Sequence, residues 1–195
     1  MKMKYIFNSE RLGFREWENS DSLPFSRMNL DPEVMEFFPS TLTKVESDIF
    51  VEKIKIMFAE YNYGLYAVDR LDSNEFIGFI GFWHPNFESE LTPCIEIGWR
   101  IKKQDWNNGF ATEGASRCLK FGFENLNFSE VVSLTSKINL KSESVMKKIG
   151  MNRFGEFEHP NIDDKSLLKK HIIYKAKNTA HNNGSRCTTP PNRSE

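Results

Sequence analysis

The sequence lacks a long apolar run and lacks an excess of either charge. No stretch approaches the roughly 18 consecutive apolar residues of a membrane-spanning helix. The amino-terminal run Tyr5-Ile6-Phe7 is too short for the core of a signal peptide. A formal net charge of −1 over 195 residues gives no overall field that attracts nucleic acid or an acidic membrane. We therefore expect a protein that binds neither nucleic acid nor membrane.

Cysteine is also scarce, with three residues and no spacing typical of a metal site. Cys94 falls in a strand-like pattern and Cys118 in a helix-like one, which favours buried free thiols for both. Cys187 stands alone near the carboxyl end. These features predict a reduced, cytoplasmic protein without a bound metal.

Two common nucleotide-binding motifs, G-x-G-x-x-G and the GK[ST] of a P-loop, are absent. The chain instead has one segment, 94–126, in which alternating apolar residues give way to Asn107-Asn108-Gly109 and then to helical apolar spacing from Phe110. A strand that leads through a glycine turn into a helix exposes backbone N–H groups at the positive end of the helix dipole. The segment therefore predicts a phosphate site, although its spacing also fits an ordinary strand-to-helix connection.

The remaining pattern predicts one α/β domain over residues 1–176, a mixed sheet with helices on both faces. Apolar residues make up 39% of the chain and include 17 Phe, enough for one core. Residues 177–195 contain almost no large apolar side chains, so we expect a flexible tail. Early helices are predicted at Asp21–Asn29, Asp31–Phe38 and, with a Thr43/Glu46 capping box, Thr43–Asn62. Ser142 is expected to begin a later helix that stops at Gly150.

The segment EIGWRIKKQDWNNGFATEG resembles motif A of the GNAT acyl-CoA acetyltransferases. It is most similar to the branch of ribosomal-protein N-terminal acetyltransferases, in which a tryptophan precedes the loop and Ala-Thr-Glu opens the helix. The resemblance extends to RLGFREW, DPEVMEFF, FIGFIGF, NLKSESVMKKIGM, FEHP and HIIY, nearly the whole folded chain. It implies the GNAT acyl-CoA N-acyltransferase fold, a twisted and mostly antiparallel sheet of about six or seven strands.

The resemblance also implies acetyl-CoA as co-substrate, bound where the sheet splays between the strand ending at Ile101 and the strand Val131–Ser136. Trp106 stands where the family motif has Arg or Gln, a departure normal for this branch. Asn139 matches an asparagine that contacts the cofactor. The pantetheine arm is expected on the backbone of Trp99, Arg100 and Ile101, and the pyrophosphate on the N–H groups of Asn107, Asn108, Gly109, Phe110, Ala111 and Thr112.

Amine acetylation requires a base for the amine and an acid for the leaving thiolate. Glu96 is the candidate base, since it lies on the opposite strand face from Ile95 and Ile97 and its pKa should rise on burial. An alternative role for Glu96 is a structural ion pair with Arg15 or Arg100.

The acid is harder to assign, because Met146 occupies the place where many family members have a tyrosine. The resemblance offers Ser142 for this role, while helix capping is its alternative. His159 lines the acceptor site or is structural, and Phe37, Phe38, Trp83 and Phe87 are candidate walls of that site.

The resemblance thus implies direct transfer of an acetyl group to a primary amine, on a protein N-terminus or a small molecule. The missing tyrosine leaves open an alternative, a GNAT-fold module that binds acyl-CoA without turnover and acts as a sensor or assembly domain. A nucleic-acid-binding or purely structural protein has little support, since no basic stripe is present. A homodimer is compatible with the fold.

Overall fold

The computed structural model describes residues 4–178, which form one eight-stranded sheet with two helices on each face. The strand order is β1-β2-β3-β4-β5-β6-β8-β7, and all neighbours are antiparallel except β5 and β6. The sheet has one or two strands more than expected. The elements are β1 Phe7–Asn8, β2 Leu12–Arg15, α1 Ser22–Leu30, α2 Lys44–Tyr61, β3 Leu65–Arg70, β4 Phe76–Trp83, β5 Glu96–Ile101, α3 Phe110–Glu124, β6 Glu130–Ser136, α4 Leu140–Lys148, β7 Asn152–Glu158 and β8 Lys170–Lys177.

Strand β4 shows how the two faces of the sheet are covered. Phe79 points to one face, where its ring lies 6.1 Å from the rings of Phe25 in α1 and Phe50 in α2. Ile80 points to the other face and packs under α3, where a side chain in place of Gly114 would collide with it. The glycine therefore lets α3 approach the sheet closely, and the alternation of β4 separates an α1–α2 face from an α3 face.

The capping box predicted for α2 is present. The Thr43 hydroxyl accepts from the N–H of Glu46 (3.2 Å), whose carboxylate accepts from the N–H of Thr43 (2.8 Å). Asn62, with a φ of 60°, ends the helix in the left-handed conformation.

The helix predicted at Asp31–Phe38 is wrong, because this segment is a series of turns. The Asp31 carboxylate accepts from the N–H of Glu33 (2.9 Å), so it competes with helical pairing. Pro39 also disfavours a helical conformation at Phe38. Val34 and Met35 are still buried, so the apolar pattern reflects packing of a loop.

The cap predicted for α4 also needs correction. Asn139 is the N-cap and its side chain accepts from the N–H of Ser142 (3.1 Å), which lies inside the helix. Gly150, with a φ of 80°, follows the helix as expected. The predicted tail falls outside the described residues, apart from Lys177, which ends β8, and Asn178.

A buried ion cluster joins β2, β3 and the start of α1. The Arg15 guanidinium donates to Asp21 (2.7 and 2.8 Å) and to Asp69 (2.7 and 2.9 Å). All three side chains are at most 6% exposed. Because Asp69 also lies 3.2 Å from the ammonium of Lys4, every charge of the cluster has a partner of opposite sign, and no buried charge is left uncompensated.

We predict that Arg15→Met lowers the free energy of unfolding by about 3–5 kcal/mol, because it leaves the buried Asp21 without a cation and Asp69 with only the half-exposed Lys4. Urea denaturation of both proteins measures the loss. The matched control is Asp72→Asn, which breaks the more exposed pair with Arg70 and should leave the free energy of unfolding nearly unchanged. Equal effects of the two substitutions would contradict the prediction.

Candidate active site

The site begins where β5 and β6 stop pairing. Their parallel ladder has one register pair, Glu96 with Val132, and the Val132 N–H donates to the Ile95 carbonyl (2.9 Å). At the next position the Ser133 hydroxyl, in place of a backbone N–H, donates to the Ile97 carbonyl (3.0 Å). Beyond this point the two strands diverge and leave a cleft between them.

The backbone of β5 faces alternately toward β4 and toward this cleft. The carbonyls of Ile95 and Ile97 point to β6, so the backbone groups of Trp99 and Ile101 lie on the same side. The Ile101 carbonyl already accepts from the indole N–H of Trp106 (2.7 Å). The Lys102 N–H donates to the Ile77 carbonyl of β4 (2.8 Å), so the backbone of Arg100, two residues earlier, also faces β4. Of the three residues expected to hold pantetheine, Trp99 and Ile101 border the cleft with their backbone.

The loop after β5 presents the backbone to the same cleft. Asn107 (φ 62°) and Gly109 (φ 79°) are left-handed, and Gly109 is the N-cap of α3 without a side-chain cap. The N–H of Glu113 is the first to bond within the helix, to the Gly109 carbonyl (2.9 Å). The preceding N–H groups, those of Phe110, Ala111 and Thr112, thus remain directed out of the helix end.

The charges around this helix end favour an anion. The Glu113 carboxylate is directed away, toward the Ser9 hydroxyl (2.6 Å), the Arg11 backbone N–H (2.8 Å) and the Arg11 side chain (2.6 Å). The ammonium of Lys141 lies 4.6 Å from the centre of the Trp106 ring. Lys141 and the dipole of α3 together place positive charge beside the free backbone N–H groups of the loop, which is a geometry that binds phosphate.

One cavity of about 1030 Å³ connects this loop, the cleft and a chamber on the α1–α2 face. Ligand sites in proteins commonly measure roughly 300–1,000 Å³, so the space suits a large ligand with a second molecule beside it. The chamber has aromatic walls. The cavity lining includes Phe37, Phe38, Phe50, Phe79, Trp83 and Phe87, among them the four aromatics proposed from the sequence.

Glu96 lines this cavity on the α1–α2 face, as expected from the alternation of β5. Burial raises the pKa of its carboxyl to about 8, against the opposing effect of the Leu134 backbone N–H. The ion pairs considered for Glu96 are not formed within residues 4–178, since Arg15 pairs with Asp21 and Asp69 and Arg100 bonds to Asn29.

Ser142 lies across the cavity in a small polar network. The Asn139 amide donates to the Thr135 hydroxyl (3.0 Å) and to the Ser142 hydroxyl (3.1 Å). Because the Ser142 oxygen accepts this bond, its own hydrogen is available to a group in the cavity. Met146 is buried beneath it, and no tyrosine of the described chain lines the cavity.

The sequence reasoning missed several side chains that the fold brings to the cavity. Lys141 lies two residues after Asn139 at the start of a helix, and this spacing is a signal that could have placed it at the cavity. The His171 ring lies 5.0 Å from that of His159, and burial lowers the pKa of both imidazoles, that of His171 to about 4. The side chain of Arg100 also lines the chamber, although the sequence had suggested only its backbone for the cofactor and its side chain for an ion pair with Glu96.

Comparison with known proteins decides the family. The model of the acetyltransferase (GNAT) domain matches residues 11–152. This chain belongs to the GNAT acetyltransferase family. The Bacillus subtilis protein named uncharacterized N-acetyltransferase YnaD is 33% identical over 151 residues, which cover 77% of this chain and 84% of YnaD. Membership of this family supports an acyl-CoA-dependent acetyltransferase.

Solved structures agree on the GNAT fold. A GNAT-family acetyltransferase from Bacillus anthracis superposes with a TM-score of 0.73 at 27% identity, over 88% of this chain and 97% of its own. Spermidine N-acetyltransferase from Vibrio cholerae, solved with CoA and spermine, gives 0.69 at 16% identity, over 86% and 96%.

Two negative findings apply to residues 4–178. No helix there combines the length and apolarity that a bilayer crossing needs. No group of three or more His, Cys, Asp or Glu side chains is arranged to hold a metal ion in that range.

We predict that Glu96→Gln stabilises the fold at neutral and higher pH. A carboxyl whose pKa rises from 4.5 to about 8 on folding binds more protons in the folded state, so wild-type stability falls as pH rises through that window. The melting-temperature gain of the Gln variant should therefore grow between about pH 5 and 8 and then level off. Exposed Glu36→Gln is the control. A gain that does not vary with pH would contradict this prediction.

Proposed function

We propose that this acetyltransferase moves the acetyl group of acetyl-CoA directly to a primary amine held in the aromatic chamber. The observation that carries the proposal is the single cavity that joins the anion-binding loop, the open edge of β5 and Glu96. The branch of ribosomal-protein N-terminal acetyltransferases remains a proposal that rests on the residues WNNGFATE. A protein N-terminus and a small amine both fit this geometry.

The residues of the chain fit acetyl-CoA in three places. The loop Asn107–Thr112 supplies backbone N–H groups for the pyrophosphate, and Lys141 adds a cation beside it. The unpaired edge at Trp99 supplies main-chain partners for the amides of the pantetheine arm. Asn139, already oriented by Thr135, lies at the β6 side of the cleft. Acetyl-CoA supplies the activated acetyl group.

Glu96 then accepts the proton of the attacking amine. Its raised pKa suits this role, because a base is most effective when its pKa lies near the working pH. Backbone N–H groups at the open edge of β5 stabilise the charge that develops on the thioester oxygen. The Ser142 hydroxyl, aligned by Asn139, donates to the departing sulfur.

A direct test incubates the full chain and acetyl-CoA with N-terminal peptides, polyamines and aminoglycosides. We expect release of free CoA with at least one amine, and mass spectrometry should find a product heavier by one acetyl group. The activity should rise with pH through a midpoint near 8, level off above it, and lose this dependence in Glu96→Gln. If calorimetry shows CoA binding but no amine on the panel is acetylated, the non-catalytic acyl-CoA-binding module replaces this proposal.

We predict that Ser142→Ala lowers kcat roughly 100-fold, the usual scale for loss of an acid–base group, and leaves the Kd for CoA nearly unchanged. Ser144→Ala is the matched control, since Ser144 lies in the same helix and also lines the cavity. Assays of kcat and CoA binding on the two variants separate the roles. An unchanged kcat in Ser142→Ala would remove the acid assignment.

A further inference from the structure

Arg100 is a buried cation without an acidic partner. Its side chain is 8% exposed, and within residues 4–178 its one hydrogen bond runs from Nη1 to the amide oxygen of Asn29 (2.7 Å). The Nε atom is buried and has no partner among the described residues. Burial lowers the pKa of the guanidinium to about 10, and no carboxylate compensates for this desolvation. Arg15, equally buried, differs because two aspartates neutralise it.

The position of Arg100 is fixed by its neighbours. Its guanidinium lies 4.1 Å from the centre of the Phe38 ring and 5.3 Å from that of Phe79. Asn29 is itself held by a hydrogen bond from its amide nitrogen to the Ser47 hydroxyl (3.0 Å). A buried cation that is oriented but not neutralised is ready to receive an anion, because a buried charge is costly without a partner.

The acidic side chains around the cavity do not supply this partner. Glu33 and Asp105 line the same cavity, but Glu33 pairs with Lys103, and Asp105 lies 3.3 Å from Lys102. Glu96 lies on the same face of β5 four residues away, about 13 Å between Cα atoms at the rise of a strand. The chamber therefore has a carboxyl at one end and an unneutralised guanidinium at the other.

Gly98 lies between these two groups and has no side chain to fill the space above the strand. A Cβ at this position would meet no atom within 4 Å, and the glycine lines the cavity. A ligand can consequently lie along β5 between Glu96 and Arg100, with its apolar part against the aromatic walls. Its amine would reach the carboxyl end and an anionic group the guanidinium end.

We propose that Arg100 recognises a carboxylate on the acceptor, so the substrate class is an amine that also bears a carboxylate, such as an amino acid. This inference rests on the proposed function, because it concerns the acceptor of the same reaction. A guanidinium and a carboxylate form paired, charge-assisted hydrogen bonds, which set the orientation of the bound acceptor.

The test compares acids with their neutral amides, phenylalanine with phenylalaninamide and β-alanine with β-alaninamide, at saturating acetyl-CoA. Rates are expressed per unprotonated amine. For at least one pair we expect the wild-type kcat/KM to favour the acid by about 10- to 100-fold, the scale of a hydrogen bond to a charged group. The ratio should approach one in Arg100→Met and remain partly in Arg100→Lys.

Asn29→Asp provides a sharper variant. It has nearly the same shape as asparagine, can still accept from Arg100, and places a carboxylate beside the guanidinium. The acid-to-amide ratio should fall in this variant although Arg100 is intact. Lys53→Met is the control for general electrostatics, since it removes an exposed positive charge outside the cavity lining. A ratio that falls equally in the control would overturn the inference.

A second measurement does not depend on turnover. Calorimetry of the CoA-loaded protein with 3-phenylpropionate and with 3-phenylpropanamide should show tighter binding of the acid, lost in Arg100→Met and in Asn29→Asp. Equal binding of the two probes overturns the role of Arg100. If amines are acetylated without preference for acids, this inference fails while the proposed function stands. If no amine is acetylated but the acid probe binds through Arg100, the proposed function fails instead.

Discussion

The single register pair between β5 and β6 is the constraint on which the site depends. If the parallel ladder continued past Glu96 and Val132, the backbone of β5 would be satisfied by β6 and the cleft would close. The Ser133 hydroxyl donates a hydrogen bond to the Ile97 carbonyl at the point where the strands diverge. The sheet therefore opens without leaving this acceptor unpaired. The anion-binding loop, the cavity and the position of Glu96 all follow from this opening.

The groups that line the open site destabilise the folded state, and interactions in the surrounding structure offset this destabilisation. A carboxyl with a raised pKa and an unneutralised arginine line one chamber, and each destabilises the folded state relative to a neutral side chain. The other buried carboxylates and the other buried arginine of residues 4–178 are paired, as in the Arg15 cluster, and the sheet packs between aromatic layers. Residues that break the general rules of burial therefore coincide with the residues that face the ligands, the pattern expected of a functional site.

Local signals in the sequence were sufficient where short-range chemistry determines the structure. The Thr43/Glu46 box, the alternation of β5 and the glycine loop before α3 each determine their own conformation, whereas the GNAT fold was implied by the resemblance of motif A. The segment after Asp31 was not, because an aspartate that caps a helix and one that forms a turn look alike. The hydrogen-bond partner of Arg100, Asn29, is distant in sequence, and spacing alone does not reveal that contact.

The period of two in β5 also explains how one strand serves two substrates. Odd-numbered residues turn their backbone to the cleft, and the side chains of Ile97 and Ile101 are buried beneath α3. Even-numbered residues bond their backbone to β4, while Glu96, Gly98 and Arg100 present their side chains to the chamber. In the proposed reaction, main-chain atoms of β5 would therefore meet the acyl donor and its side chains would meet the acceptor. Substitution of an even-numbered residue can alter acceptor choice without touching the edge that holds the donor.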